Sequence, residues 1–379
     1  MRNSARVALV ASTLTVVTVV SGCGTSNSAS DSNVSATNNH STAKSETGGS
    51  ASINTDVKTG TNKGTLVLYA AEGYDAAMGA AFEKKTGIKV EVHDDSTGPL
   101  ITDAESQASN PHWDVIWFDG DSSAQAMDNQ GLLLQGWTPN DVNNYTALGQ
   151  SLIAKDKSYY PTGVTGMGAI GYDPKVTPES DLPKTFNDLL EPQWKNAIAM
   201  NDPAISGPTY PLVAGVVQQM ASVASGERFF TQLKNNGLHV YDTNSVSINA
   251  LLTGKVKLAI VQDSALMNDE ASGDPIAIDY LQSGTYTLPS VIAIDKQAPD
   301  MAAAKEFVEF ALSQEGQKVM INPKVAGADA YLTPVIKGVS ATPLATSSRK
   351  NVNWVRVDPI TAAIQKNSLE TWFHDNITY

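Results

Sequence analysis

One cysteine in 379 residues leaves no partner for a disulfide and no cysteine-based metal cluster. Basic residues are the second shortage: 26 Lys and Arg face 39 Asp and Glu, for a formal net charge of −13. That balance argues against nucleic acid as a partner, because binding it takes a basic face that displaces counterions from phosphates. No apolar run approaches the roughly 20 residues that span a bilayer as a helix. A G-x-S-x-G elbow, an H-E-x-x-H pair and a P-loop pattern are also missing. The five histidines (His40, His93, His112, His239 and His374) are scattered, and none is assigned to catalysis. Carboxylates, by contrast, are too numerous for counting to exclude a secreted hydrolase of phosphoesters or glycans. What is present is a 41% hydrophobic content, enough for a sizeable core, in a length that suits two domain-sized units.

The lone Cys23 closes a segment suited to export. Arg2 and Arg6 precede an uncharged apolar run of 14 residues, Val7 to Val20, followed by the small residues Ser21 and Gly22. That run fits a signal-peptide core better than a spanning helix. Val20-Ser21-Gly22-Cys23 resembles the bacterial lipobox, whose cysteine is lipidated and becomes the new N-terminus. An ordinary signal peptide that happens to hold a cysteine is the plainer alternative. From Gly24 to Lys63 there are nine Ser and no aromatic residue, and three acidic residues balance three Lys. Such a segment buries too little apolar surface to offset its ordering entropy, so it reads as a tether. As flexible coil it would reach roughly 35 Å. The expected layout is a signal peptide over 1–22, a lipidated Cys23 with its tether over 23–63, and a folded body over 64–379. Removal of 1–22 takes away Arg2 and Arg6 and leaves a charge of −15.

The body reads as α/β. Thr65 to Tyr69 is a β-prone run, followed by a helical pattern with Ala77, Met78, Ala81 and Phe82 on one face and Gly87 placed as its C-cap. A second strand, Ile88 to His93, ends in Asp94-Asp95-Ser96-Thr97-Gly98, and helix resumes from Pro99. A third, Trp113 to Phe118, stops at Asp119-Gly120-Asp121-Ser122-Ser123 before another helix. Strands alternating with helices predict parallel sheets, whose ligands collect beyond the carboxyl ends of the strands.

Several stretches together carry a family resemblance: Ala81-Phe82-Glu83-Lys84-Lys85-Thr86-Gly87-Ile88-Lys89-Val90, Gly131-Leu132-Leu133, Pro192-Gln193-Trp194-Lys195-Asn196, Asn201-Asp202-Pro203-Ala204-Ile205-Ser206-Gly207, and the helix Met301 to Ser313 with Glu315-Gly316-Gln317. The chain resembles the extracellular solute-binding proteins of ABC importers, in the branch of ferric-iron, phosphonate and phosphate-ester binders. The resemblance implies a two-lobed, periplasmic-binding-protein-like α/β fold that clamps its solute between the lobes. Lobe 1 is expected over about 64–163 plus 290–340, and lobe 2 over about 164–289 plus C-terminal helices in 341–379. The chain should cross near Tyr160 to Gly171 and return near Tyr286 to Ile294. Gly163 to Gly168 suits a pliable crossing, and equally a plain β-hairpin.

Ferric binders of that branch use a His, a Glu and two adjacent Tyr. Here those positions fall on Gly73, near Asp119, and on Ser264 and Ala265, which supply no phenolate pair for hard Fe(III). Tyr159-Tyr160 lies in the crossing segment and reads as structural. The anion-holding positions are better kept. Ser206-Gly207-Pro208-Thr209 matches a turn that opens a lobe 2 helix, Asn244-Ser245 a second such loop, and Ser96-Thr97-Gly98 their lobe 1 counterpart. Helix N-termini carry unsatisfied N–H donors and about half a positive charge, so three in one cleft suit an anion. Each Ser or Thr would serve equally as a plain helix cap. Tyr210 is placed to contact the organic part of a solute or to pack. Asp119 and Asp121 would repel an anion unless it also carried an amine, and they also suit a solvated loop.

The expectation is a lipid-anchored, extracytoplasmic receptor, monomeric and without cofactor or resident metal, passing a small anionic solute to the transmembrane subunits of an ABC permease. A phosphonate or phosphate ester is the expected solute. A polyamine or ferric iron is the alternative within the same fold.

Overall fold

The structure, a computed structural model, describes residues 64–220 and 222–379. The export segment, Cys23 and the tether lie outside the described residues.

The first side is built from β1 (Thr65–Ala70), α1 (Asp75–Thr86), β2 (Lys89–Asp94), α2 (Thr97–Ser106), β3 (Val115–Asp119), α3 (Asp121–Asn129) and the short α4 (Ala147–Leu152). β1 lies between β2 and β3, parallel to both. α1 stops where anticipated: Gly87 takes φ 76°, a left-handed value that suits glycine, and its N–H donates to the Glu83 carbonyl.

The chain then crosses in β4 (Tyr159–Tyr172), a 14-residue strand buried throughout. The second side follows: β5 (Ile198–Asn201), α5 (Thr209–Gln219), α6 (Val223–Asn235), β6 (His239–Tyr241), α7 (Asn244–Leu252), β7 (Leu258–Gln262), α8 (Asp263–Ser272) and β8 (Ala277–Tyr280). β5 lies parallel between β6 and β7. The return strand β9 (Thr285–Ile294) pairs antiparallel with both β4 and β3. The remainder comprises α9 (Met301–Ala311), α10 (Gln314–Met320), α11 (Pro323–Ala326), β10 (Thr333–Pro334), α12 (Pro343–Ser348), β11 (Trp354–Val355) and α13 (Pro359–Phe373).

The result is one continuous sheet in the order β2-β1-β3-β9-β4-β7-β5-β6. It is parallel on each side, as the βα alternation predicts, but mixed overall, because the two crossing strands run antiparallel to each other. The Gly163–Gly168 stretch is not a hairpin. It runs inside β4, with a register shift around Gly168, where φ is 89°. Gly166 is needed for a different reason: a Cβ there would lie 2.8 Å from an Asp263 carboxylate oxygen.

Apolar side chains gather on both sides of the crossing. Trp117, Phe82 and Phe307 anchor the first core, with the two Phe rings 5.1 Å apart edge to face. Tyr210, Phe230 and Phe373 anchor the second, which the C-terminal residues Val357, Leu369 and Ile377 also join. Arg349, after α12, reaches back to α8 and pairs bidentately with the buried Asp263, at 2.8 and 2.6 Å.

Candidate functional site in the interlobe cleft

Beyond the carboxyl ends of the strands lies a cavity of about 640 Å³. Three helices start at its wall: α2 through Ser96 and Thr97, α5 through the preceding Ser206-Gly207-Pro208, and α7 through Thr243, Asn244 and Ser245. Their caps differ. Thr243 accepts from the Val246 N–H, so α7 is capped by its own chain. Ser96 and Pro208 make no side-chain cap to α2 or α5.

The ionisable lining is all of one sign. Among the described residues, Glu72, Asp75, Asp94, Asp95, Asp119, Asp242 and Asp329 border the cavity, and no Lys, Arg or His does. Glu72, Asp75 and Asp119 are buried, Asp329 is half-buried, and Asp94, Asp95 and Asp242 are exposed. Each buried acid is placed by an element boundary: Glu72 lies just after β1, Asp75 opens α1, and Asp119 ends β3.

Asp119 is held on both oxygens, one accepting from Gln262 Nε2 at 2.7 Å and the other from the Ser290 hydroxyl. Burial still pushes its carboxyl up to about 6. Asp329 accepts from the Gly73 N–H, and burial, then the Asp119 charge, pushes it up to about 7. Burial lifts Asp75 to about 6. Glu72 goes well above the usual carboxylate range, through burial first and then the charges of Asp119 and Asp329. A buried carboxylate without a cation is costly, and protonation is the response available to it. Among the described residues, no group of three or more His, Cys, Asp or Glu is placed to hold a metal ion.

Of the residues singled out in the sequence, Ser96, Thr97, Asp119, Ser206, Gly207, Asn244 and Ser245 meet at this cavity. Five do not border it. Gly98 lies beside it and spends its N–H on the Ile205 carbonyl. Thr209 and Ser264 are fully buried, with hydroxyls that find no partner. Tyr210 is also fully buried, and its hydroxyl donates to the Ala362 carbonyl, so it packs α13 rather than a solute. Asp121 leaves the cleft for an ion pair with Arg356. The Gly73 and Ser264–Ala265 positions carry no side-chain metal donor into the cavity.

The sequence reading passed over Glu72, Asp75, Asp242, Gln262 and Asp329. For Glu72 a signal existed, since it stands two residues beyond the first strand, where ligands of such sheets collect. Asp329 gave none: it arrives from a turn 256 residues along the chain from Gly73.

Comparison with known proteins agrees with this architecture. Residues 77–351 match the family described as bacterial extracellular solute-binding protein. The major ferric iron-binding protein of Neisseria meningitidis serogroup B is 24% identical over 264 residues, 67% of this chain and 78% of that one. The periplasmic binding protein AfuA of Actinobacillus pleuropneumoniae, solved with exogenous fructose-6-phosphate bound, superposes with a TM-score of 0.74 at 22% identity. That match covers 83% of this chain and 99% of AfuA. Iron-bound HitA of Pseudomonas aeruginosa gives 0.68 at 23% identity, over 81% and 98% of the two chains. The chain belongs to the bacterial extracellular solute-binding protein family.

Proposed function

We propose that this extracellular solute-binding receptor of the ABC-importer type captures a small organic cation of the polyamine class in its cleft. One observation carries the reading: among the described residues, seven carboxylates and no basic side chain border the cavity. At about 5 Å and an effective dielectric of about 20, each ionised carboxylate is worth about 3 kcal/mol against a unit charge. A helix N-terminus contributes about 0.3–1 kcal/mol, or about 2 at best. Two ionised carboxylates therefore outweigh three helix N-termini of ordinary strength. The carboxylates therefore favour a cationic solute.

An anionic solute, phosphonate or phosphate ester, is the second reading. The hydroxyls and helix starts at Ser96–Thr97, Ser206–Gly207 and Asn244–Ser245 favour it, as does the sugar phosphate in AfuA. An aminoalkylphosphonate would satisfy both sets of groups. Ferric iron fits less well, because the Tyr-pair positions hold Ser264 and Ala265. The proposal is completed by a lipid anchor at Cys23, supported by Val20-Ser21-Gly22 before it, and by delivery from a monomer to an ABC permease.

A thermal-shift panel of diamines, polyamines, aminoalkylphosphonates, phosphate esters and Fe(III) with phosphate tests the reading. A solute at 100 times its dissociation constant stabilises by about 2.7 kcal/mol. Amines should shift the melting. If phosphate esters shift it and every amine fails, the cation reading falls.

A further inference from the structure

We infer that the cavity seats one primary ammonium group of the solute at Glu72, its ion-pair partner, with Asp119 and Asp329 as the neighbouring charges. The inference rests on the proposed cationic solute and adds the residue that selects it.

Three carboxylates meet here, but they are not equivalent. Asp119 has both oxygens engaged by Gln262 and Ser290, and Asp329 has one engaged by the Gly73 amide. Glu72 is 3% exposed, borders the cavity, and has its buried Oε1 without any hydrogen-bond partner. An unsatisfied buried acceptor costs about 1–3 kcal/mol, and more when charged. The buried Tyr74 hydroxyl beside it offers a neutral donor, but among the described residues no Lys, Arg or His borders the cavity, so a cationic donor has to arrive with the solute.

The same geometry says which donor. Among the described residues these carboxylates are not placed to close around a metal ion. An ammonium has three N–H donors and needs no such enclosure. The charges of Asp119 and Asp329 act on Glu72, so an ammonium that donates to Glu72 sits in the field of all three. A neutral hydroxyl would satisfy Oε1 as a donor but would leave the flanking charges uncompensated. The seat therefore discriminates by charge.

Calorimetric titration of the protein with 1,4-diaminobutane and 1,4-butanediol, repeated on Glu72→Gln, tests this. The wild type should bind the diamine and reject the diol. Glu72→Gln, which keeps the shape and removes the charge, should lose at least 100-fold in diamine affinity with an unchanged or higher melting temperature. Diamine affinity within threefold of wild type in Glu72→Gln overturns the seat while leaving the cationic-solute reading intact. Equal binding of the diol also overturns the seat. A wild-type protein that binds no amine removes the reading and the seat together. If Glu72→Gln shows no folding transition, Glu72→Asp replaces it, withdrawing the charge by one methylene. A loss of about tenfold then supports the seat, and unchanged affinity overturns it.

Discussion

The backbone amide of Gly98, in the first turn of α2, donates to the carbonyl oxygen of Ile205 at 3.2 Å, joining the two sides of the cleft. The approach is too close for any side chain. A Cβ on Gly98 would stand 2.0 Å from the Ala204 carbonyl oxygen, and one on Gly207 would meet the Thr97 side chain at 2.5 Å. Main-chain contact beside the cleft is what a hinge-closing clamp needs in its closed state.

Replacing Gly98 by Ala should therefore prop the cleft open. Solute affinity is expected to fall by at least about tenfold, because the closed state that binds is less populated. The melting temperature without solute should stay within a few degrees. Titration of the variant beside its unfolding curve measures both, and unchanged affinity would show that this contact plays no part in closure.

The acids of the cleft give the protein without solute an unusual pH profile. Glu72, Asp75, Asp119 and Asp329 all have folded-state pKa values raised above those of unfolded carboxyls, chiefly by burial. Between about pH 4 and 7 the folded state then holds more protons than the unfolded one, so stability falls as pH rises through this window. Melting curves from pH 5 to pH 8 should show a drop of more than about 5 °C. A cationic solute should recover most of it at the upper end. A profile that rises over the same range would mean that these acids are paired.

How far the sequence reached can be judged at these residues. The crossing strands were legible only through the family resemblance, since the Gly163–Gly168 stretch by itself suits a hairpin equally, whereas Gly87 was legible because a left-handed C-cap has a local signature. Ser96 was found because a helix start is also local, and Ser206 and Asn244 because they match turns of the family. The sign of the cleft was not. Glu72, Asp242 and Asp329 come from three distant parts of the chain, and nothing in their neighbours says that they face one cavity. Tyr210 was ambiguous for the same reason, since its partner Ala362 is 152 residues away.

Tyr210→Phe separates packing from solute contact. Loss of the hydrogen bond to Ala362 should cost about 1 kcal/mol of stability. Solute affinity should stay unchanged, because the ring is fully buried away from the cavity. Unfolding and titration of the same sample decide it: a tenfold loss of affinity at constant stability would place Tyr210 on the solute.

Arg349→Met should be far more damaging. It leaves the Asp263 carboxylate, which is fully buried, with only the Gly166 N–H and the Tyr280 hydroxyl as donors. Removing one member of a buried pair costs about 3–5 kcal/mol. Denaturant unfolding measures the loss, and adding Asp263→Asn should recover part of it. No loss would mean that water reaches Asp263 freely.

The sign of the solute's charge is tested most directly by calorimetric titration of the protein with 1,4-diaminobutane and, separately, with fructose 6-phosphate. The diamine should bind one to one, with an affinity that weakens as salt is added, and the sugar phosphate should give no saturable heat. Saturable binding of fructose 6-phosphate, with none of the diamine at any salt concentration, would contradict a cation receptor.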